Sequence, residues 1–267
     1  MTLKEILEKF GKVDGSFVIE NIMGLSQTEI FFNQNETVPK DIEITIDEIY
    51  EKYSKDYPIN YLIGKKNFYG RDFYLKDGVL IPRFETEILI ENILNLGVDF
   101  KNILDIGCGS GIISITLALE IPKSNVLGVD ISKVALDVSR RNKELLKVKN
   151  CEFKESNLFS SIEERKFDLI VSNPPYINKK DMLLLDERVK KEPELALFGG
   201  EDGLDFYKAI IEKSHEHLNE NGYIAFEIGY NQGESVKELL SSNEYSNINL
   251  IKDYNGFDRC VIARSMI

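Results

Sequence analysis

The chain has 267 residues, is 43% apolar and 29% charged, and carries a formal net charge of −12. That length suits one large domain or two modest ones, and no run approaches the ~18 consecutive apolar residues of a membrane span. Acids outnumber bases 45 to 33 with Lys and Arg scattered, which argues against a protein that grips nucleic acid directly. Three cysteines far apart, Cys108, Cys151 and Cys260, suit neither a disulfide framework nor a zinc ribbon, but small buried residues in a reducing compartment. The first ten residues are interrupted by charges and do not read as a secretory signal. A cytoplasmic monomer is expected.

Leu3, Ile6, Leu7 and Phe10 fall at i, i+3, i+4 and i+7 and predict a helix. A second helix is expected over 17–24, stopped by Gly24. A third, capped by Ser26, runs to Phe32, and a fourth covers 47–55, halted before Pro58. Residues 1–60 therefore read as a small helical bundle. Asn67-Phe68-Tyr69-Gly70 and Arg71-Asp72-Phe73-Tyr74 are short aromatic runs about a glycine. They predict a hairpin-like linker over 61–83.

From residue 84 to 267, helices and strands alternate. A helix is expected over 85–95, a strand over 102–106, a helix over 112–120 and a strand over 125–130. A helix over 133–146, a weak strand over 151–154 and a strand over 167–172 follow. Then come a helix over 204–218 stopped by Asn221-Gly222, a strand over 223–228, a helix over 236–240 and two strands near 248–251 and 259–263. Such alternation predicts an α/β fold, a doubly wound, mostly parallel seven-stranded sheet of the Rossmann-like kind. Ligands in such sheets bind beyond the carboxyl ends of the strands, at the point where strand order switches.

The turn after the first of these strands reads Gly107-Cys108-Gly109-Ser110-Gly111. Glycines there let the backbone turn tightly and approach a ligand. A dinucleotide fingerprint, GxGxxG, would place its third glycine at 112, which is Ile112. The following strand ends in Asp130, placed to accept hydrogen bonds from ribose hydroxyls. GxGxG with an acid ending the next strand resembles the class I S-adenosylmethionine-dependent methyltransferases. The resemblance implies S-adenosyl-L-methionine as cofactor, with S-adenosyl-L-homocysteine as product, and Gly107, Cys108, Gly109, Ser110, Gly111 and Asp130 around it. It further implies that Asn157 stands where an acid usually faces the adenine amino group, with Leu158 against the ring.

The strand over 167–172 runs into Asn173-Pro174-Pro175-Tyr176. This arrangement suits methylation of a planar nitrogen. The Asn173 side-chain oxygen and the Pro174 carbonyl can accept from an NH2 group and hold it against the methyl donor. Both grip harder as the nitrogen becomes positive. The prolines fix φ, and Tyr176 offers a flat face to the target. His215 and His217 do not form a metal site on this reading, and no metal is expected.

With those motifs placed, the chain resembles the release-factor glutamine N5-methyltransferases along nearly its whole length. The resemblance rests on Pro58-Ile59-Asn60-Tyr61-Leu62-Ile63-Gly64 and on Pro82-Arg83-Phe84-Glu85-Thr86-Glu87, where the family usually has Asp in place of Glu85. It rests also on Glu192-Pro193-Glu194-Leu195-Ala196-Leu197-Phe198-Gly199-Gly200, on Asp202-Gly203-Leu204-Asp205-Phe206-Tyr207, and on Glu227-Ile228-Gly229-Tyr230-Asn231-Gln232-Gly233. It implies that Asn173, Pro174, Pro175 and Tyr176 hold the glutamine of a Gly-Gly-Gln loop in peptide chain release factors. It implies that Phe68 and Arg83 close the pocket, that Asn173 also lines the cofactor site, and that the N-terminal bundle docks the release factor. A ribosomal-protein glutamine methyltransferase and a DNA or RNA base methyltransferase are the alternatives. Glu227 is open between a site and a structural role.

Overall fold

The computed structural model describes residues 1–266, which divide into two compact units. The first comprises 1–65 together with 186–191. It contains α1 (Leu3–Phe10), α2 (Lys12–Met23), α3 (Gln27–Phe32), α4 (Lys40–Tyr53) and α5 (Ile59–Ile63). Thr2 and Ser26 cap α1 and α3, each with a reciprocal bond from a glutamate three residues on. Gly24 ends α2 in the left-handed conformation.

Two of these helices begin earlier than expected. α2 runs through Gly15, which looks like a breaker but sits where a Cβ would come within 2.9 Å of the Leu7 Cα. The close approach of α1 and α2 requires the glycine and overrides its low helix propensity. α4 starts behind Pro39, with Asp41 and Glu43 in its first turn. Leu3, Ile6, Phe10, Val18, Ile19 and Ile46 form the core. Segment 186–191 joins this unit through Arg188, whose guanidinium lies 4.5 Å from the Tyr53 ring centroid and 3.5 Å from Asp14.

The second unit comprises 66–185 and 192–266 of the described chain. It opens with a hairpin, β1 (Lys65–Phe68) and β2 (Arg71–Tyr74), turned at Tyr69 and Gly70, both at positive φ. The segment expected to link two domains is in fact part of this unit. Phe68 and Phe73 are fully buried, edge to face at 6.1 Å, in the core shared with α6 (Glu85–Asn95).

A seven-stranded sheet follows, in the order β5-β4-β3-β6-β7-β9-β8. Its strands are β3 (Asn102–Ile106), β4 (Asn125–Asp130), β5 (Cys151–Glu155), β6 (Phe167–Ser172), β7 (Leu218–Glu227), β8 (Tyr245–Lys252) and β9 (Asp258–Ser265). β3 to β7 pair in parallel, whereas β9 runs antiparallel to both of its neighbours. The helices are α7 (Ile112–Glu120), α8 (Lys133–Leu145), the short α9 (Lys179–Met182), α10 (Asp205–Ser214) and α11 (Gly233–Ser241). Alternate residues feed opposite faces. Ile103, Leu169 and Val171 enter the core under α6 and α7, while Leu104, Ile106 and Ile170 enter that under α10 and α11.

In the second unit, the boundary between α10 and β7 departs from expectation by more than a turn of helix. α10 ends at Ser214, and β7 already begins at Leu218. Asn221, at φ 60°, lies within β7, close to where its register with β6 shifts. Asn221-Gly222 therefore marks an irregularity in a strand rather than a helix stop.

Gly128, in the middle of β4, faces Ser114 Oγ and the Phe153 ring, which an added Cβ would meet at 2.6 and 2.7 Å. Gly128→Ala should destabilise the protein by about 1–3 kcal/mol through overpacking. Denaturant midpoints would register this; an unchanged midpoint would show that α7 and β5 can move apart freely.

Candidate functional site

β3 has β4 on one side and β6 on the other, so chain connections leave it in opposite directions and a crevice opens beyond its carboxyl end. The loop 107–111 fills the floor of that crevice. The Gly107 and Cys108 amides both donate to the Val129 carbonyl, at 2.8 and 3.0 Å. Gly109 N donates to Asp130 Oδ2 at 2.9 Å, and Ser132 N to Asp130 Oδ1 at 2.8 Å. Burial pushes the Asp130 carboxyl above its ordinary value, against the pull of those amides.

The cavity is lined by Gly107, Cys108, Gly109, Ser110, Asp130, Asn157, Leu158, Asn173, Pro174, Pro175 and Arg83. These expected residues thus share one cavity. Asn157 is exposed, and Leu158 beside it takes φ 51°. Three expected residues lie elsewhere. Gly111 caps α7 at φ 83°, where a Cβ would press on Phe153, Ser139 and Ile115 at 3.0–3.1 Å. It serves helix packing rather than the cavity wall. Phe68 is a core aromatic with no exposed surface. Tyr176 is outside the lining and packs against the core under α10.

The Asn173-Pro174-Pro175-Tyr176 segment is braced from behind. Gln232 Nε2 donates to the Tyr176 carbonyl at 3.0 Å and to the Gly203 carbonyl at 3.1 Å. Ile177 N donates to the Leu197 carbonyl and Gly199 N to the Ile177 carbonyl, both at 2.9 Å. A Cβ on Gly199 would sit 2.6 Å from the Pro175 carbonyl, so glycine is required there. On the opposite wall, the buried Glu192 accepts from Ile81 N at 2.9 Å and pairs with Arg83 at 2.5 Å. This holds the strap carrying Pro193 and Leu195 beside Pro82 and Arg83, all four of which line the cavity.

Several contributors escaped the sequence reading. Thr86, Ile131, Phe206 and Ile210 line the cavity. Thr86 and Phe206 stand within quoted motifs, where their neighbours drew the attention. Asp105, a fully buried acid among the apolar residues of β3, was also missed, and that contrast was the available signal, whereas Glu227, left open between a site and a structural role, is 1% exposed at the end of β7. Asp105 Oδ2 accepts from Ser114 N and Oγ at 3.0 and 2.5 Å, while Oδ1 has no partner. Burial pushes its carboxyl up to about 7.

A family model, the methyltransferase small domain, matches residues 84–195. The chain is 40% identical over 260 residues to release factor glutamine methyltransferase of Fusobacterium nucleatum, covering 96% of this chain and 73% of that protein. It is 39% identical over 268 residues to release factor glutamine methyltransferase of Aquifex aeolicus, covering 98% and 95%. A ribosomal protein L11 methylase from Lactobacillus delbrueckii subsp. bulgaricus shares the fold, with TM-score 0.53 at 23% identity over 72% of this chain and 84% of that one. The sheet order and the glycine loop at its switch point are those of a class I methyltransferase. Identity at this level over nearly the full length goes further: the chain belongs to the release factor glutamine methyltransferase family, and it is a methyltransferase.

Because Asp105 holds its proton to about pH 7 when folded but only to its ordinary 3.8 when unfolded, the native state binds the extra proton between those values. Stability should therefore fall as pH rises through that window and level off above it. Denaturant midpoints at pH 5 and pH 8 would show the drop. Asp105→Asn should shrink it, and an undiminished drop would relieve Asp105 of the role.

Proposed function

We propose that this enzyme transfers a methyl group from S-adenosyl-L-methionine to the side-chain amide N5 of the glutamine in the Gly-Gly-Gln motif of peptide chain release factors. The observation that carries the reading is that Asn173 and Pro174, at the end of β6, face the same cavity as the Gly107–Gly109 loop and Asp130. The cavity fits the cofactor. A Cβ on Gly107 would meet no protein atom within 4 Å, and one on Gly109 only the Gly107 carbonyl at 4.0 Å, so the loop presents bare backbone to open space. Asp130 keeps lone pairs beyond those its two amides use and can accept from ribose hydroxyls. Ile112, Ile131, Ala135 and Leu158 supply apolar wall for an aromatic base.

Bound there, the cofactor supplies an electrophilic methyl group. The chain's own residues orient the nucleophile. An amide nitrogen is poor at attack because its lone pair is delocalised, so its NH2 must be turned until the lone pair faces the methyl. Asn173 Oδ1 and the Pro174 carbonyl accept its two N–H bonds and hold that orientation. As the nitrogen gains positive charge, both bonds strengthen, which is selective binding of the transition state. The methylated, still protonated amide is strongly acidic and loses its proton without a dedicated base.

We further infer that the helical unit, 1–65, holds the protein substrate. Its exposed Phe31 and Phe32 stack edge to face at 5.3 Å, and its acidic helices suit a folded protein better than RNA. Among the described residues no helix is long and apolar enough to cross a membrane.

Methyl transfer from labelled cofactor to purified release factor, ribosomal proteins and RNA in parallel tests the substrate; labelling of the latter two alone would overturn it. Asn173→Ala should lower kcat roughly 10²–10³-fold with cofactor affinity kept, whereas Asp130→Ala should weaken cofactor binding by about one to two decades. Calorimetry beside turnover separates the two, and identical profiles would contradict the assignment. Replacing Phe31 and Phe32 together by serine should raise KM for intact release factor and leave that for a Gly-Gly-Gln peptide alone. An equal change on both substrates would remove the helical unit from docking.

A further inference from the structure

The side-chain oxygen and nitrogen of an asparagine are alike in shape, so packing alone does not decide which of them faces a substrate. Hydrogen bonds do. The acceptor role proposed above requires the Asn173 oxygen to face the cavity and its nitrogen to face inward. Behind Asn173 stands Thr86, in the first turn of α6, with no exposed surface. Thr86 Oγ1 lies 2.6 Å from Glu227 Oε2, and Asn173 Nδ2 lies 3.4 Å from Thr86 Oγ1. Glu227 ends β7, the strand next to β6, and is 1% exposed.

We propose that Glu227, acting through Thr86, is the positioning residue that sets the amide orientation of Asn173 and so makes the catalytic acceptor available. An ionised carboxylate only accepts hydrogen bonds. The one Thr86 hydroxyl proton is therefore committed to Glu227, and the Thr86 oxygen can only accept from whatever faces it. It selects the NH2 of Asn173 and turns the amide oxygen outward. A purely structural account of Glu227 is weaker. An isolated buried carboxylate is unfavourable without compensating partners, and the cation nearest in charge, Arg259, is already paired with Asp253 at 3.1 Å.

The arrangement has a definite pH sense. If Glu227 takes a proton, its OH can donate to Thr86, the Thr86 proton is released toward Asn173, and the amide oxygen is drawn inward. The acceptor is then turned away from the substrate. The charged and titratable groups around Glu227 are Glu85 from α6, Arg259 and Cys260 from β9, Tyr176 after β6 and Tyr207 from α10. Burial outweighs the Thr86 bond, the Arg259 charge and a weaker bond from the Asn173 side chain itself, which can only come from its NH2 and so favours the same orientation, and pushes the Glu227 carboxyl up to about 7. Turnover should thus be lost as pH falls through neutrality.

The inference rests on the acceptor role of Asn173, and the experiment keeps the two apart. Turnover of intact release factor is measured for wild type, Thr86→Val, Thr86→Ser, Asn173→Ala and the Thr86→Val/Asn173→Ala double variant, with cofactor affinity by calorimetry. Thr86→Val should lower kcat about tenfold or more while KM and cofactor affinity move less than about threefold. Thr86→Ser, which keeps the hydroxyl, should recover most of the loss. In the Asn173→Ala background, Thr86→Val should cost less than about twofold more, because its effect runs through Asn173. An equal loss in both backgrounds, or near-normal turnover of Thr86→Val, overturns the relay. Loss in Asn173→Ala with none in Thr86→Val overturns the relay alone, whereas a silent Asn173→Ala overturns the acceptor reading as well. A second arm stands should Thr86→Val not fold. The wild-type kcat should show an acid limb near neutrality that Glu227→Gln flattens, and a limb unchanged in that variant refutes the proposal.

Discussion

Three successive amides of the glycine loop, those of Gly107, Cys108 and Gly109, donate to the end of β4, two to the Val129 carbonyl and one to the Asp130 carboxylate. The site depends on this grip. It fixes the loop against the strand that carries its own polar anchor, so the floor of the cavity and Asp130 move as one body. A loop tied only through its glycines would be loose, because glycine surrenders more backbone freedom on ordering than any other residue. Here the side chain best placed to meet a ribose also immobilises the backbone beside it. Loss of Asp130 thus removes the anchor of the Gly109 amide and leaves the loop held only by the Val129 carbonyl.

The opposite wall achieves rigidity differently. Asn173-Pro174-Pro175-Tyr176 lacks two backbone donors at its prolines and cannot be held by a strand ladder. Its support comes from Gln232 on the Tyr176 carbonyl and from the close passage of Gly199. The strap 193–196 is in turn clasped to 81–83 by Glu192. Motif residues distant in sequence, Glu192, Gly199 and Gln232, are thereby explained by support of other backbone rather than by contact with a substrate. A site that must hold reacting atoms to fractions of an ångström needs such support as much as the groups that touch the substrate.

The α/β part of the chain was the most legible. From α6 to β6 the elements begin and end within a residue of where hydrophobic pattern and Gly or Pro punctuation put them, because the central strands bury continuous apolar runs and the helices bury one apolar stripe between polar turns. Legibility failed where tertiary contact outweighed local preference. α2 begins at Lys12 rather than at the expected 17, running through Gly15, where Leu7 passes so close that only glycine fits. Asn221-Gly222 reads as a helix stop but interrupts β7. Residues marked by backbone chemistry, Gly107, Gly109, the acid ending β4 and the prolines after β6, do lie around one cavity. Gly111, Phe68 and Tyr176 lie outside that lining, because a motif places a residue near a site and does not fix the direction its side chain takes. Thr86 was unreadable for the converse reason. Its role depends on Glu227, 141 positions away, and no local pattern records such a pairing.

Asp105 and Glu227 share a physical situation. Each is an acid in a strand flanking β6, each is almost wholly buried, and burial pushes each carboxyl up to about 7. A strand end built for stability alone would carry an apolar residue there. Their environments nevertheless differ. Asp105 bonds Ser114 at the start of α7, where the helix terminus favours negative charge, and it leaves one oxygen without a partner. Glu227 is turned toward Thr86 and, through it, toward Asn173. The first acid anchors the helix that follows the glycine loop, and the second orients the residue that meets the substrate. The protein thus carries two buried acids on the two strands that flank β6, and each offsets its desolvation by hydrogen-bonding a different helix, Asp105 to Ser114 of α7 and Glu227 to Thr86 of α6.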